Sequence, residues 1–344
     1  MQSTPARDAA TTAPPDRSRR IAELDALRGF ALAGIVMVNI VQMTGMPWAA
    51  GPAREHPDAY LFELLFFQRP FLIFSLLFGV SFAIFLRTAA RRADRPRLVL
   101  VRRLLWLAVF GALHSLLQPG EVLKFYAVAG LLVLPATYLS RRWLLWGGAV
   151  LTLAGSALIG GVATIPGLFL VGMALTGYGI PDTLGRRGRQ LAVAFAVAAP
   201  LATVAAVLQY RYGVGPEARV VTLQAGLAVA FLYVTGFLLL LRTLLLRTPL
   251  RRPLDAVFAP MGKLALTNYI LASALILAAD AALGIGERTD YALVVAVGVG
   301  IAVIQAAWSP IWLRWYQYGP LEWLWRCLTW WRWVPIRQAE GVGR

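Results

Sequence analysis

Long apolar blocks recur along the whole chain and limit what it can fold into. Each block holds roughly 18 to 25 residues, the length that a helix needs to cross the ~30 Å hydrocarbon layer of a bilayer. The sequence therefore predicts an all-α fold, a polytopic transmembrane helical bundle of about ten spans. The predicted spans are residues 26–46, 70–88, 98–118, 122–139, 143–160, 162–178, 190–209, 223–246, 262–282 and 291–313.

The composition excludes an ordinary soluble domain. Hydrophobic residues make up 59% of the 344-residue chain and charged residues only 15%. Soluble domains typically have roughly 25% charged residues. A chain of this length has room for the predicted spans joined by short loops, so one compact bundle is expected.

The basic residues divide unequally between the two sides of the predicted bundle. A net charge of +16 would indicate nucleic-acid binding in a soluble protein. When alternate loops are assigned to alternate sides, however, most of the 33 Lys and Arg residues fall on one side. This positive-inside pattern predicts a multi-pass protein of the cytoplasmic (inner) membrane with N- and C-termini in the cytoplasm. The expected partner of the basic loops is anionic membrane lipid, and nucleic acid is not expected. The other side receives Arg54, Arg211, Arg219 and Arg288, with Arg69 and Lys124 at its membrane edge.

The chain divides into three predicted segments. Residues 1–20 are rich in Pro and charge and lack an apolar period, so they predict a disordered cytoplasmic tail without a cleavable signal peptide. Residues 21–318 form the transmembrane helical domain. Residues 319–344 are expected to form a cytoplasmic interfacial helix and tail, because the Trp-rich stretch 320–334 is too charged to span a bilayer.

Metal and disulfide sites are not expected. His56 and His114 lie on different segments with no Cys or carboxylate at ligand spacing beside them. Cys327 is the single cysteine of the chain, so it has no partner for an internal disulfide.

His114, Glu121 and Lys124 form the strongest candidate site. His114 lies near the end of the third span, and Glu121 and Lys124 open the fourth after a Gln-Pro-Gly turn. Helices joined by so short a turn are neighbours, so the three groups are expected to converge on one outer pocket. An imidazole beside a carboxylate is the minimum apparatus for general-base catalysis, with Glu121 orienting the ring. The structural alternative is a hydrogen-bonded His114 and a Glu121–Lys124 ion pair at the membrane interface.

Further polar residues are candidates for substrate binding. Asn39 lies in the outer half of the first span and can donate to a developing oxyanion or to a neighbouring helix. Arg69 faces either an anionic group or the outer surface. Asn268 lies in the inner half of the ninth span, where bridging to the tenth span is its alternative role. Asp25 and Arg28 lie three residues apart on one helical face at the cytoplasmic end of the first span. They are expected to form an ion pair, with ligand binding as the alternative.

Five short motifs, two of which have two parts, follow one another in order along nearly the whole chain. They are LDALRGFAL at 24–32, RPF and FSLLFG within 69–79, FGALHSLL and PGEVL within 110–123, GKLALTNY at 262–269, and GPLEWLWR at 319–326. This series resembles the motifs of the YeiB-like family of bacterial polytopic membrane proteins. The chain differs from the family pattern at two positions, with Arg69 where Lys is more usual and Glu121 where Asp is commoner.

The opening motif and the outer-side histidine are similar in turn to those of transmembrane acyltransferases such as heparan-α-glucosaminide N-acetyltransferase. The resemblance implies transfer of an acyl group from cytosolic acyl-CoA to an acceptor beyond the membrane. On that analogy His114 is the base or acyl relay and Glu121 orients it. Acyl-CoA would be the donor. The basic stretch 87–103 after the second span would bind its phosphates through Arg91, Arg92 and Arg95, and the basic stretch 242–263 is the second choice.

Three functions stay open at this point. The favoured one is acyl transfer to an extracytoplasmic sugar, lipid-linked or small-molecule acceptor. Its rival is a transporter or exporter of a small or lipidic substrate, in which His114 and Glu121 bind the substrate or relay protons. A third is a structural or partner-binding membrane protein. A homo-oligomer is compatible with all three.

Overall fold

The computed structural model describes residues 15–215, 218–247 and 251–338, and regular structure within these ranges is helical. Two isolated bridges also pair extended backbone there, Gly51 with Val214 and Tyr316 with Arg337. The α-helices in chain order are α1 (Pro15–Thr44), α2 (Pro57–Leu65), α3 (Arg69–Ala89), α4 (Pro96–His114), α5 (Leu123–Leu132), α6 (Arg141–Leu158), α7 (Thr164–Gly177), α8 (Ile180–Thr183), α9 (Gly188–Tyr212), α10 (Arg219–Arg247), α11 (Arg251–Lys263), α12 (Ala265–Leu283), α13 (Tyr291–Trp315) and α14 (Pro320–Trp330).

Six helical segments of the described ranges are long and apolar enough to cross a bilayer. A seventh span results if Gly161–Gly177 and Ile180–Arg186, which meet at a bend of 51°, are taken together. Length and composition therefore support six or seven spans, and the figure of about ten stays a prediction. The six segments are Ala22–Thr44, Pro57–Ala89, Gly188–Tyr212, Arg219–Arg242, Ala265–Leu283 and Tyr291–Trp315.

The predicted span over 122–139 is not one continuous helix. α5 has only 10 residues, which is about 15 Å of helix and too short to cross a bilayer. A 3-10 helix, Leu134–Tyr138, follows it. Pro135 accounts for the break, because proline has no N–H to donate and its ring clashes with the preceding turn of an α-helix.

The boundaries of the terminal segments also differ from those predicted. α1 begins at Pro15, so residues 15–20 of the predicted disordered tail belong to a helix, whereas residues 1–14 lie outside the described residues. The predicted C-terminal helix is present as α14. Its Trp325 Nε1 donates to the backbone oxygen of Arg103 at 2.8 Å, so α14 packs against α4. The end of the predicted tail, residues 339–344, also lies outside the described residues.

α1 is the central helix, and the loops at its two ends define two faces of the bundle. It packs against α3, α10, α11, α12 and α13. The basic face, at the start of α1, comprises residues 24–28, the loop 90–95, Lys263 and α14. The distal face, at the end of α1, comprises residues 45–56, 115–122, 159–161, 213–215 and 284–290.

α1 and α11 approach so closely that glycine is required at two positions. A Cβ on Gly29 would overlap the backbone oxygen of Phe258, and a Cβ on Gly262 would overlap that of Asp25. Small residues let helix backbones touch, which is how helices associate where lipid removes the hydrophobic driving force. Gly29 and Gly262 belong to the first and fourth sequence motifs, so these two motifs describe one helix contact.

Replacing Gly262 by Ala is expected to destabilise the bundle, because α1 and α11 must move apart. Overpacking of this kind typically costs about 1–3 kcal/mol. Gly147→Ala in α6 is the matched control, since nothing lies within 4 Å of a Cβ there. Alanine is the better helix former, so this control should be stabilised by up to about 1 kcal/mol. Thermal unfolding in detergent compares the two variants, and equal melting temperatures would contradict the close α1–α11 contact.

Candidate functional site

A buried histidine–carboxylate pair lies where α4 turns into α5. α4 ends at His114, and the turn through residues 115–122 brings Glu121 back to the imidazole ring. The Nδ1 atom of His114 hydrogen-bonds Oε2 of Glu121, and both side chains are buried. The predicted proximity of these two residues is therefore confirmed.

Ser273 of α12 extends this pair to three polar side chains in a row. Its Oγ lies 2.9 Å from Nε2 of His114, on the ring edge away from Glu121. A carboxylate at Nδ1 holds the ring proton there, so Nε2 is free to accept the Ser273 hydroxyl proton. A hydroxyl, an imidazole and a carboxylate in this order form the arrangement that activates serine nucleophiles in acyl-transfer enzymes.

Tyr269 lies one helical turn before Ser273 in α12 and packs against the cluster of His114, Glu121 and Ser273. Its hydroxyl donates to Oε2 of Glu121 at 3.5 Å, and its ring packs edge-on against the His114 imidazole with centroids 5.0 Å apart. The other carboxylate oxygen of Glu121 accepts the backbone N–H of Leu123. Glu121 thus has partners on both oxygens, as a carboxylate inside an apolar bundle requires.

A cavity of about 280 Å³ leads from the basic face towards this cluster. We call it the basic cavity. Apolar side chains of α1, α3 and α4 form much of its wall, and Val122, Leu123 and Tyr269 line it next to the cluster. Four cationic side chains also line it: Arg28, Arg103, Lys263 and Arg326.

The cations of the basic cavity are held in place by their neighbours. Arg28 donates to Asp25 at 2.6 Å, which confirms the predicted ion pair, and to Ser81 Oγ at 2.9 Å. Arg103 stacks over the Trp325 ring at 3.5 Å from its centroid. Because cations exceed carboxylates in its lining, the cavity suits an anionic ligand with an apolar extension.

Glu322 is the carboxylate among the described residues that line the basic cavity. Its two oxygens accept the backbone N–H groups of Leu266 (2.7 Å) and Thr267 (3.0 Å) and the Thr267 hydroxyl (2.6 Å). Burial raises the pKa of the Glu322 carboxyl, although these hydrogen bonds act in the opposite direction. Glu322 therefore serves to cap the start of α12, which carries Tyr269 and Ser273.

A second cavity, of about 130 Å³, lies on the distal side of Tyr269. We call it the amide cavity, because Asn39, Gln42 and Gln68 provide its polar side chains besides Tyr269. No charged side chain is among its described lining residues. Asn39 Nδ2 and Gln68 Oε1 have no hydrogen-bond partner in the described part of the chain. The two cavities share three lining residues, Ile35, Val122 and Tyr269.

Three of the four predicted substrate-binding residues line neither the basic cavity nor the amide cavity. Lys124 donates to Ser115 Oγ at 3.2 Å and does not join the His114–Glu121 cluster. Arg69 is fully buried and donates to Gln209 Oε1 at 2.6 Å, which links α3 to α9. Asn268 links three helices through bonds with the residues Met261, Ser309 and Trp308.

The basic loop 90–95 lies at the protein surface, outside the basic cavity. Arg92 lines a separate surface pocket together with Arg326, Arg332 and two Trp side chains. Arg326 also lines the basic cavity, so the two pockets adjoin. Arg91 and Arg95 are exposed, and neither lines a described cavity.

Several residues of the site were not predicted from the sequence. Ser273 was passed over, although it is a hydroxyl within the apolar helix α12. Tyr269 closes the motif GKLALTNY but was given no role. The cations of the basic cavity come from α1, α4, α11 and α14. Arg103 and Lys263 lie within the two basic stretches predicted to bind the CoA phosphates, but nothing in the spacing of the four cations predicts that they meet. An arginine placed inside an apolar block, as Arg103 is, was the available signal.

Apolar helices of bilayer length with a buried polar cluster between them define a multi-pass membrane protein. Residues 182–332 match the model of a family described as "Protein of unknown function (DUF418)". A Bacillus acidopullulyticus protein, "Uncharacterized 39.9 kDa protein in amylase 3'region", is 35% identical over 92% of this chain and 96% of its own length. Bacillus subtilis YxaH is 26% identical over 94% of this chain and 98% of its own length. Escherichia coli YeiB is 35% identical over 79 residues, 23% of this chain and 20% of YeiB. The chain belongs to this YeiB-like DUF418 family.

Removing the His114 ring is expected to cost stability, because the buried Glu121 carboxylate loses its bond to the imidazole and keeps only Leu123 N–H and the Tyr269 hydroxyl as partners. Breaking a buried pair in this way costs about 3–5 kcal/mol. The double variant His114→Ala/Glu121→Gln has no buried carboxylate that lacks the imidazole. Its loss of unfolding free energy should therefore be smaller than the sum of the losses in the two single variants. Unfolding in detergent measures all three.

Lys124→Met is the control for this comparison of the single and double variants. Lys124 is half-buried and its contact with Ser115 lies near the distal face, so its loss should cost less than breaking the fully buried His114–Glu121 pair. Strictly additive losses for His114→Ala and Glu121→Gln would show that the two side chains do not depend on each other.

Proposed function

We propose that the protein is an acyltransferase that moves an acyl group from cytosolic acyl-CoA to an extracytoplasmic acceptor. One observation carries the proposal: a cationic cavity and an uncharged cavity meet at Tyr269, whose hydroxyl contacts Glu121 of the buried His114–Glu121 pair. Donor and acceptor of a transfer reaction need two such sites on either side of one catalytic group.

The basic cavity is the proposed donor site. Coenzyme A combines phosphates with a narrow arm that ends in the thioester, which matches cations at the basic face and apolar walls towards Tyr269. Lys263 and Arg326 are the proposed phosphate ligands, with Arg28 beside them. Arg92 extends the site through the adjoining surface pocket. Arg91 and Arg95, assigned to the phosphates on sequence grounds, act through their long-range field.

The amide cavity is the proposed acceptor site. Its unpaired Asn39 Nδ2 can donate to an acceptor oxygen, and its unpaired Gln68 Oε1 can accept from a hydroxyl. A protonated amine would find no carboxylate in the described lining, so a neutral, hydroxyl-bearing acceptor fits better. Sugars and small alcohols, free or lipid-linked, belong to this class. Arg69 assists by bonding the backbone oxygen of Phe67, which fixes the position of Gln68.

His114 is the proposed general base and Glu121 its orienting group. Transfer breaks the thioester C–S bond and forms a C–O bond to the acceptor. The hydroxyl proton leaves by way of Nε2 of His114 and ends on the departing thiolate. Lys124 and Asn268, the remaining predicted substrate residues, support this site by holding the α4–α5 turn and the start of α12.

The proposed topology has about ten spans in the inner membrane of the cell. Both termini lie in the cytoplasm. The charge asymmetry of the sequence supports it, since the basic face gathers the Arg-rich loop 90–95 and α14. In this orientation the donor cavity opens to cytosolic acyl-CoA, and the amide cavity lies on the extracytoplasmic side.

Transport of a small or lipidic substrate is the second candidate. The two cavities share Tyr269 as a lining residue, which favours transport. Rotation of the Tyr269 ring would connect the cavities into one path from the basic face to the distal face. The two functions differ in their use of coenzyme A. The acyltransferase binds acyl-CoA in the basic cavity and consumes it, whereas a transporter of this kind does neither.

Neutralising Lys263 and Arg326 together tests the donor site. The variant Lys263→Met/Arg326→Gln should bind radiolabelled CoA at least about tenfold more weakly, since a hydrogen bond to a charged group contributes about 1.5–3 kcal/mol. Arg91→Gln/Arg95→Gln is the matched control with the same charge loss and should change the affinity less. Weakening by the control variant alone would move the donor site to the loop, and an absence of CoA binding in the wild type would refute an acyl-CoA donor.

Cysteine labelling tests the topology. In a Cys327→Ser background, cysteines at the exposed positions Glu55, Tyr212 and Arg288 should react with an impermeant maleimide added outside intact cells. A cysteine at Ala93 should react only after the membrane is permeabilised. The reverse pattern would contradict the orientation, and mixed accessibility at the three distal positions would contradict the number of spans.

A further inference from the structure

We propose that Ser273 carries the acyl group covalently between the two cavities, with His114 as its base and Glu121 holding the imidazole. The proposal rests on the acyltransferase function proposed above and deepens it. It replaces a direct transfer from thioester to acceptor by two steps on one enzyme hydroxyl.

The hydrogen bond of Ser273 is the first argument. Hydroxyl side chains within helices commonly bond the backbone oxygen four residues earlier. Ser75, Thr152 and Thr176 do so, at 2.8, 2.8 and 3.0 Å. The Ser273 hydroxyl instead meets Nε2 of His114 at 2.9 Å. That bond points the serine proton at the atom that takes it when a serine becomes a nucleophile.

The order of the three groups is the second argument. Serine nucleophiles are recognised by geometry: the hydroxyl bonds one ring nitrogen of a histidine, and a carboxylate bonds the other. Here the Ser273 hydroxyl is at Nε2 and the Glu121 carboxylate is at Nδ1. A purely structural histidine needs a partner on each nitrogen but has no need of a carboxylate, whose burial is costly. A carboxylate in this position stabilises an imidazolium, which forms only when the ring takes up a proton.

The position of Ser273 is the third argument. It lies four residues after Tyr269, on the same side of α12, and is fully buried. Tyr269 lines both cavities, whereas Ser273, His114 and Glu121 are absent from the described linings. Rotation of the Tyr269 ring therefore exposes Ser273 to the donor and then to the acceptor. Closure of the ring between the two steps keeps water from the acyl-enzyme.

Both steps pass one proton through His114 Nε2. In the first, Ser273 Oγ attacks the thioester carbonyl carbon, its proton passes to His114 Nε2, the C–S bond breaks, and the thiolate takes that proton and leaves as the CoA thiol. In the second, an acceptor hydroxyl attacks the serine ester and gives its proton to His114 Nε2. The C–O bond to Ser273 breaks, and the serine oxygen takes the proton back. Asn39 Nδ2, an unpaired donor, is available to the oxyanion of the second step.

Trapping of the acyl-enzyme tests the proposal. Purified full-length protein is mixed with [14C]acetyl-CoA or [14C]octanoyl-CoA without acceptor and quenched in acid, and the label is assigned by peptide mass spectrometry. We expect label on Ser273 with release of CoA thiol. Ser273→Ala should lower the label at least about 100-fold, as loss of a catalytic nucleophile does. Ser273→Cys should restore a label that neutral hydroxylamine removes, because the cysteine would hold a thioester.

Ser75→Ala is the matched control, a buried serine of another helix that bonds the Tyr126 hydroxyl at 3.0 Å. It should keep wild-type label, and a size-exclusion profile of each variant checks that it folds. Label on His114, or undiminished turnover in Ser273→Ala, would overturn the role of Ser273. CoA release that requires a hydroxyl acceptor and leaves no label would overturn it too, while leaving the acyltransferase function intact. Failure of the wild type to release CoA from either donor would instead overturn the acyltransferase function itself.

Discussion

A carboxylate inside an apolar helical bundle must have its partners within the protein, and much of this fold follows from how Glu121 meets that requirement. Its oxygens bond the His114 ring, the Leu123 backbone N–H and the Tyr269 hydroxyl. These contacts fix the α4–α5 turn against α12. The opposite ring nitrogen of His114 then falls on Ser273. One buried charge thereby aligns three polar groups from two distant parts of the chain.

The cavities depend on the same arrangement, because Tyr269 forms part of both walls. α12 is held at its start by Glu322 of α14, which accepts two backbone N–H groups there. Around α1, the glycine contact with α11 brings Lys263 beside Arg28, and α14 brings Arg326 to the same cavity. Packing contacts that look purely structural therefore determine where the cations of the basic cavity lie.

The sequence predicted what depends on local geometry and missed what depends on tertiary contact. A short turn makes His114 and Glu121 neighbours, and a spacing of three makes Asp25 and Arg28 a pair; both are present. The span over 122–139 was wrong as one helix, because Pro135 outweighed the apolar composition around it. Ser273 lies 159 residues from His114, a separation over which periodicity and spacing carry no information. For the same reason, the convergence of the four cations on one cavity could not be predicted, although the basic stretches that contain Arg103 and Lys263 were predicted to bind the CoA phosphates.

The basic cavity is proposed to bind an acyl-CoA with its thioester towards Tyr269. A cryo-electron microscopy map of the protein in a lipid nanodisc with a non-hydrolysable thioether analogue of acetyl-CoA tests it most directly. The account predicts density in the basic cavity with the phosphates at Lys263 and Arg326 and the acyl end beside Tyr269. Density with the reverse orientation, or an analogue bound at any place that leaves the basic cavity empty, would contradict it.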